Sequence, residues 1–376
     1  MYPDPPNLPN FRLRDDFPYS GTGIDLFGPL FCKDVYDRTE IMHKCYVILY
    51  TCASTRAVLL DLVHNAESKV FINSFNRFIS RRGCPAKVVS DNGSIFTSEE
   101  TQRFAASRNI QWSFNLQKAP QQGGFFERLI QSVKRCMKKT LGKSRLAYDE
   151  LQTVLLDIEH ILNSRPLCHI FDVEDDDILT PNHIMFGRKL NMINTSVDID
   201  KKEECITKRY KYMKYLIAHF WERWRKDYVL ALRERQRYRK KQNGPLPSID
   251  DVVIVYEEKQ PRQNWLLGRI TGLLAGTDGK IRGAKVKLGR TKNIKRPVDQ
   301  LYPIEFSNAH SDDGRDVTKK NCTIPVSEVN DTRKPQYNIT EVSNGNARDV
   351  DIPNRRTKRK AAIISALKTK CIVNAE

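Results

Sequence analysis

Apolar positions in the first part of the chain come in short runs. Gly23 to Leu30, Cys45 to Tyr50 and Ala57 to Val63 lie close together, which predicts three antiparallel strands in a meander. Val70, Phe71, Phe75, Phe78 and Ile79 then recur at helical spacing, and Arg81-Arg82-Gly83 ends the helix they predict. Lys87 to Ser90 reads as a buried strand stopped by the Asn92-Gly93 turn. A short helix from about Ser98 to Ser107 and a strand at Gln111 to Phe114 follow. Gly123-Gly124 breaks the chain before a helix carrying Phe126, Ile130, Val133, Met137 and Leu141. Another helix, about Tyr148 to Asn163, has Leu151, Val154, Leu155, Ile158, Ile161 and Leu162 on one side. Pro181 to Gly187 reads as a short closing helix. The order implies an α/β fold with a mixed five-stranded sheet of RNase H-like type.

Beyond this core the pattern changes. Met213, Leu216, Ile217, Phe220 and Trp224 recur at helical spacing, interleaved with Lys208, Arg209, Lys211 and Lys214. Arg233 to Lys241 extends the basic side. This predicts a long basic amphipathic helix that could span domains, line nucleic acid or pack on a partner. Val252 to Val255, Trp265 to Ile270, Gly283 to Lys287 and Thr291 to Arg296 are short strands separated by glycine-containing turns, as in a small SH3-like barrel. Residues 1–18 read as a proline-rich linker, 19–190 as the core, 191–248 as a basic helical linker and 249–305 as the barrel. Residues 306–376 are polar and read as a disordered basic tail. Within that tail Arg355 to Lys360 has the composition of a nuclear import signal or a DNA-binding segment.

Charge sharpens this picture. In 376 residues, 63 Lys and Arg stand against 45 Asp and Glu, a net charge of +18, which favours a polyanionic partner. No apolar run reaches the length that crosses a bilayer. No apolar stretch of the signal-peptide kind follows Met1 to Pro6. Nine cysteines without CxxC pairing indicate reduced thiols in cytosol or nucleus. The acidic run Phe171 to Asp177 lacks EF-hand spacing and reads as a solvated loop.

Three acids stand out. Asp25 lies inside an apolar strand, where an unpaired carboxylate is costly and a divalent cation would be a good partner. Asp91 sits where a strand stops. Glu127 opens a helix, 35 residues (92–126) after Asp91. A strand carboxylate, a strand-end carboxylate and one in a helix's first turn can converge on a metal ion. Glu127, Gln131, Lys134 and Lys138 share one face of that helix.

Asp25 in D-x-F-G-P-L, the D-N-G-x-x-F of Asp91 to Phe96, and Gly124-x-x-Glu127-Arg128 resemble the D,D(35)E core of retroviral and retrotransposon integrases. The stretches Ala119-Pro120 to Glu127-Arg128, Gln131 to Lys134, Leu162 to Leu167 and Leu179-Thr180-Pro181-x-His183 resemble the integrases of Pao/Bel-type LTR retrotransposons, over roughly residues 1–305. The resemblance implies metal-dependent 3′-end processing and strand transfer, with Asp25, Asp91 and Glu127 as catalytic and metal-binding residues. Two magnesium ions are implied, for which manganese could substitute, with Asp25 bridging both. It further implies double-stranded DNA as partner, self-association, no membrane, and residence in nucleus and cytoplasm. Gln131, Lys134 and Lys138 would contact a DNA end, and Lys285, Lys287 and Lys292 of the C-terminal module would contact duplex. Relatives carry a His/Cys zinc-binding domain just before this point, which the chain is expected to lack, and many have histidine where this chain has Gln122. An RNase H-like nuclease or cut-and-paste transposase is the competing enzymatic reading. A DNA-binding protein derived from an integrase, without catalysis, is the other alternative.

Overall fold

The computed structural model describes residues 17–33, 41–114, 127–169, 178–188, 190, 207–239, 247–257, 264–289 and 292–305. The Lys118 to Gly124 loop, the acidic run 171–177 and the tail beyond 305 lie outside the described residues. Strands β1 (Gly21–Lys33), β2 (Met42–Cys52) and β3 (Val58–Val63) form the expected antiparallel meander. β3 is buried at every position, so it is apolar on both faces except at Asp61, which pairs with Arg77 of the helix that follows. Helix α1 (Ser68–Arg82) ends at Gly83, whose φ of 88° favours glycine. It returns the chain to β4 (Lys87–Ser90), parallel to β1.

One turn, α2 (Ser94–Thr97), precedes α3 (Glu99–Ser107), where Ser98 caps the helix by accepting the Thr101 N–H. β5 (Gln111–Phe114) then pairs parallel with β4, giving the order β3-β2-β1-β4-β5. This is the RNase H-like arrangement. Helices α4 (Glu127–Leu141) and α5 (Tyr148–Asn163) pack on one face of the sheet, and α1 and α3 on the other. The short strand β6 (Leu146–Ala147) adds to β1, and β7 (Cys168–His169) pairs with β8 (Ile178–Leu179). Helix α6 (Pro181–Phe186) closes the core on Gly187, as read from sequence.

Strand β3 lies at the edge of this sheet, and side chains of α5 occupy its open backbone. Asn163 accepts the Val58 N–H at 2.8 Å and donates to its carbonyl at 2.7 Å. Glu159 accepts the Leu60 N–H at 2.8 Å, and the Tyr148 hydroxyl donates to the Leu62 carbonyl at 2.8 Å. Alternate residues of the edge are thereby satisfied without a neighbouring strand, which also blocks strand addition there.

Burial pushes the Glu159 carboxyl up to about 7 from an ordinary 4.5, against the opposing pull of the Leu60 N–H and of Arg82 and Arg81. A carboxyl raised on folding binds its proton more tightly in the native state. Its contribution is therefore complete below about pH 4.5 and lost as pH rises through about 7. Glu159→Gln keeps an acceptor for Leu60 and removes this loss. Denaturation at about pH 4 should find variant and wild type alike, and at pH 8 the variant should be more stable by roughly 3 kcal/mol. An equal difference at both pH values would show that Glu159 titrates normally.

Helix α7 (Lys208–Arg239) buries its apolar side within the molecule. Its apolar side, Leu216, Ile217, Phe220, Trp221, Trp224, Tyr228, Val229 and Leu232, joins a single buried cluster with α4 and α5. It also meets a second sheet. β9 (Val252–Val255), β10 (Leu267–Ala275), β11 (Ile281–Leu288), β12 (Lys292–Pro297) and β13 (Leu301–Pro303) pair antiparallel in the order β12-β11-β10-β9-β13. Within this module that is 4-3-2-1-5, the SH3-like order, with a one-turn helix at Val298–Gln300 before the last strand. The strand at Leu301 was not among the runs that pattern alone singled out, because it is only three residues long. On β9, Val252 and Ile254 face the α7 cluster, whereas Val253 and Val255 face the module's own interior. The helix is thus part of the core and not a free tether.

A buried ionic network joins the same parts. Glu305, just after β13, pairs with Arg56 of the β2–β3 turn and lies 3.5 Å from Arg165, which follows α5. The Tyr228 hydroxyl of α7 is 3.3 Å from Glu305 Oε2. The Arg165 side chain is wholly buried and also donates to the carbonyls of Leu162 and Arg56, at 2.8 and 2.9 Å.

Candidate metal centre and DNA-facing surface

The parallel register between β1 and β4 sets the site. Ile24 lies opposite Ser90, so the next residues, Asp25 and Asp91, emerge side by side where β4 stops and β1 continues. Alternation gives the face. Phe27 and Val89, each two residues from one of these acids, both join the cluster under α4. Asp91 is exposed and its Oδ1 accepts the Gly93 N–H at 3.1 Å, closing the D-N-G turn. A Cβ at Gly93 would come within 3.1 Å of that oxygen and 3.3 Å of the Phe96 ring, so the turn is tight. On the neighbouring strand, Gly28 forms the bulge after Phe27. A Cβ there would lie 2.6 Å from the Tyr46 ring, which explains glycine in D-x-F-G-P-L.

Asp25 is the more enclosed acid. Its Oδ1 accepts the Leu26 N–H at 2.8 Å and its Oδ2 lies 2.6 Å from the Lys134 ammonium of α4. Burial pushes this carboxyl above its ordinary range. The Lys134 charge and hydrogen bond pull it down, the Asp91 charge pushes it up, and the Leu26 N–H pulls it down. Lys134, which the resemblance and its place on the Glu127 face put at a DNA end, here pairs with the Asp25 carboxylate. The partner that a buried Asp25 requires is thus present in the chain itself.

Glu127 is the first residue of α4, and its side chain lies outside what is described. By helical spacing it sits on the Lys134 face, two turns earlier. Gln131 and Lys138 of the same stripe are exposed. Among the described residues no group of three or more His, Cys, Asp or Glu could hold a metal ion. The two described acids suit a hard cation: both offer carboxylate oxygens, one is open to solvent, and a cationic group already rests on the other.

The second sheet carries a different surface. Lys285 lies opposite Lys295, and Lys287 lies between Arg269 and Asn293. Lys285 and Lys287 are two apart and exposed, so these groups share the outer face of three adjacent strands. Like charges directly opposite each other cost stability, which an anionic partner would relieve. Lys292 is exposed as well, but it does not share this face. It lies opposite the buried Leu288, so its register belongs to the inner face, at the start of β12.

Comparison with known proteins bears on the carboxylate pair. Residues 30–120 match the family described as integrase core domain. That span contains Asp91 and lies between Asp25 and Glu127. Residues 208–304, which comprise α7 and the second sheet, match a family of unknown function (DUF5641). The Pro-Pol polyprotein of feline foamy virus is 28% identical over 190 residues, covering 50% of this chain and 14% of that protein. The Pol polyprotein of feline endogenous virus ECE1 is 26% identical over 164 residues, covering 43% of this chain and 14% of that protein. The chain therefore spans a small part of the polyproteins it matches. Among solved structures, the HTLV-2 integrase catalytic core domain in complex with magnesium aligns at 22% identity and a TM-score of 0.30, covering 40% of this chain and 90% of that one.

Proposed function

We propose that the protein is an integrase, a polynucleotidyl transferase that trims and joins the ends of a retroelement's DNA. The observation that carries this reading is the side-by-side placement of Asp25 and Asp91 at the end of paired parallel strands, in a chain that matches the integrase core domain. Asp25, Asp91 and Glu127 would hold two magnesium or manganese ions. Bound there, the ions would activate the attacking oxygen and stabilise the leaving one in an in-line displacement. Attack by water breaks a phosphodiester and leaves a 3′-hydroxyl on the element. Attack by that hydroxyl forms a new phosphodiester and releases a 3′-hydroxyl of the target. One bond forms as one breaks, so no energy source is needed. The chain's own contribution is positional. The β1–β4 register sets the two carboxylates, the D-N-G turn fixes Asp91, and Gln131 and Lys138 project from the same helix towards solvent.

The same reading takes the Pao/Bel-type element as source, element ends and target DNA as partners, self-association as the working state, and nucleus and cytoplasm as location. The experiment is strand transfer by the full chain, with and without Mg²⁺. Joined product that requires the metal supports the reading, and duplex binding without any joining would leave an integrase-derived DNA-binding protein.

The outer face of the second sheet is the proposed duplex contact. Replacing Lys285, Lys287 and Lys295 together with alanine should weaken duplex binding and reduce the slope of log affinity against log salt by about two to three. Lys292→Ala should change that slope by less than about one. Fluorescence anisotropy of the full chain across a salt series measures both. An unchanged slope in the triple variant would remove this face from the DNA contact.

A further inference from the structure

The Asp25 carboxylate has both oxygens engaged inside the protein. Oδ1 is held by its neighbour's N–H and Oδ2 by Lys134, and their side chains retain only 21% and 26% of their exposure. The neighbouring basic residues of α4 are directed elsewhere. Arg135 pairs with Asp227 at 3.3 Å, and Lys138 and Lys139 are exposed. Asp91 brings a second negative charge beside Asp25, so in the metal-free protein two carboxylates share one ammonium. Removing that ammonium would leave two adjacent carboxylates without a counter-charge, one of them, Asp25, largely enclosed. A divalent ion approaching Asp25 meets the ammonium on the oxygen it needs.

We propose that Lys134 is the built-in counter-cation of the Asp25–Asp91 pair, which holds Asp25 in place while no metal is bound and which a divalent ion must displace from Oδ2. The inference rests on the metal reading given above. It assigns Lys134 two alternating partners. In the metal-free protein it neutralises Asp25. Once displaced, it lies on the helix face shared with Glu127 and Gln131, free to meet a DNA phosphate. Lys134 is thus a positioning residue, acting through Asp25. A group that only held the fold together would not compete with a metal.

The test is Mn²⁺ binding to the full chain at pH 8, followed by the EPR signal of the free ion, without DNA or turnover. Lys134→Met removes the competing charge and keeps an unbranched side chain one atom shorter. It is expected to bind Mn²⁺ about tenfold more tightly than wild type, the equivalent of one pKa unit of differential interaction. Lys134→Arg retains the charge and is expected to bind like wild type. Asp25→Asn is expected to lose binding. Lys134→Gln gives the same reading should Lys134→Met fail to fold. Equal or weaker binding by both neutral variants, with binding by wild type and none by Asp25→Asn, would overturn the counter-cation and leave the metal site standing. No binding by wild type or by either neutral variant would overturn the metal reading and this inference with it.

Discussion

Asp91→Asn is expected to give a folded protein that binds duplex DNA normally and joins strands on the order of a thousandfold more slowly. The side chain is exposed, so the exchange of an oxygen for an amide nitrogen costs little packing. Its remaining oxygen can still accept the Gly93 N–H, so the D-N-G turn is preserved. What changes is charge. The pair falls from two carboxylates to one, and one hard oxygen ligand is lost. Asp25 simultaneously loses the neighbour whose charge raises its proton affinity, so lost activity could not be blamed on a protonated Asp25. Duplex binding depends on Lys and Arg contacts to phosphate, among them those proposed for the second sheet, and does not require this carboxylate. The measurements are metal-dependent strand transfer and anisotropy on the same preparations. A wild-type chain no more active than Asp91→Asn would end the enzymatic reading.

The carboxylate pair and the pattern around it were legible because they depend on local rules. Asp91 stands at a strand end marked by Asn92-Gly93, and the helix at Tyr148 to Asn163 is bounded as its apolar spacing indicates. The sheet order follows from short connections between antiparallel strands and helical crossovers between parallel ones. The Lys134 contact obeys no such rule. A stripe at helical spacing says that Glu127, Gln131, Lys134 and Lys138 share a face, but not how far that face is turned towards β1. That angle is set by Ile130, Val133 and Met137 packing beneath it.

The polar groups of α5 were illegible in another way. Glu159 and Asn163 lie among Leu155, Ile158, Ile161 and Leu162, where helical spacing gives a polar residue no structural role. They are instead partners for a sheet edge a hundred residues away in sequence. Only the knowledge that β3 is an edge strand, with backbone groups to satisfy, would have pointed to them. Arg165 lies in the Leu162 to Leu167 stretch that carries the family resemblance, and nothing in that stretch marks it as one of the most buried side chains in the molecule.

Glu305→Ala is expected to destabilise the protein by about 3–5 kcal/mol, because it strands buried positive charge. Arg165 has no exposed surface through which to recover water, and its remaining bonds go to two backbone carbonyls. The Arg56 side chain keeps 14% of its exposure and can turn outward in part, so the larger share of the cost falls on Arg165. The carboxylate bridges residues 249 apart in sequence and ties the end of the second sheet to the β2–β3 turn, with Tyr228 of α7 between them. Its loss should therefore loosen the basic face of the second sheet relative to the Asp25–Asp91 pair, while the sheet's own core, Val253, Val255, Ile270, Val286 and Leu301, stays intact. Denaturant unfolding gives the loss of stability, and limited proteolysis shows whether the chain is first cut near α7. Replacing both partners, Arg165→Met with Glu305→Leu, should restore much of what Glu305→Ala loses, since an apolar pair leaves no buried charge of Arg165 unmatched. A cost below about 1 kcal/mol for Glu305→Ala would mean that water reaches Arg165 and that the network does not hold the two sheets together.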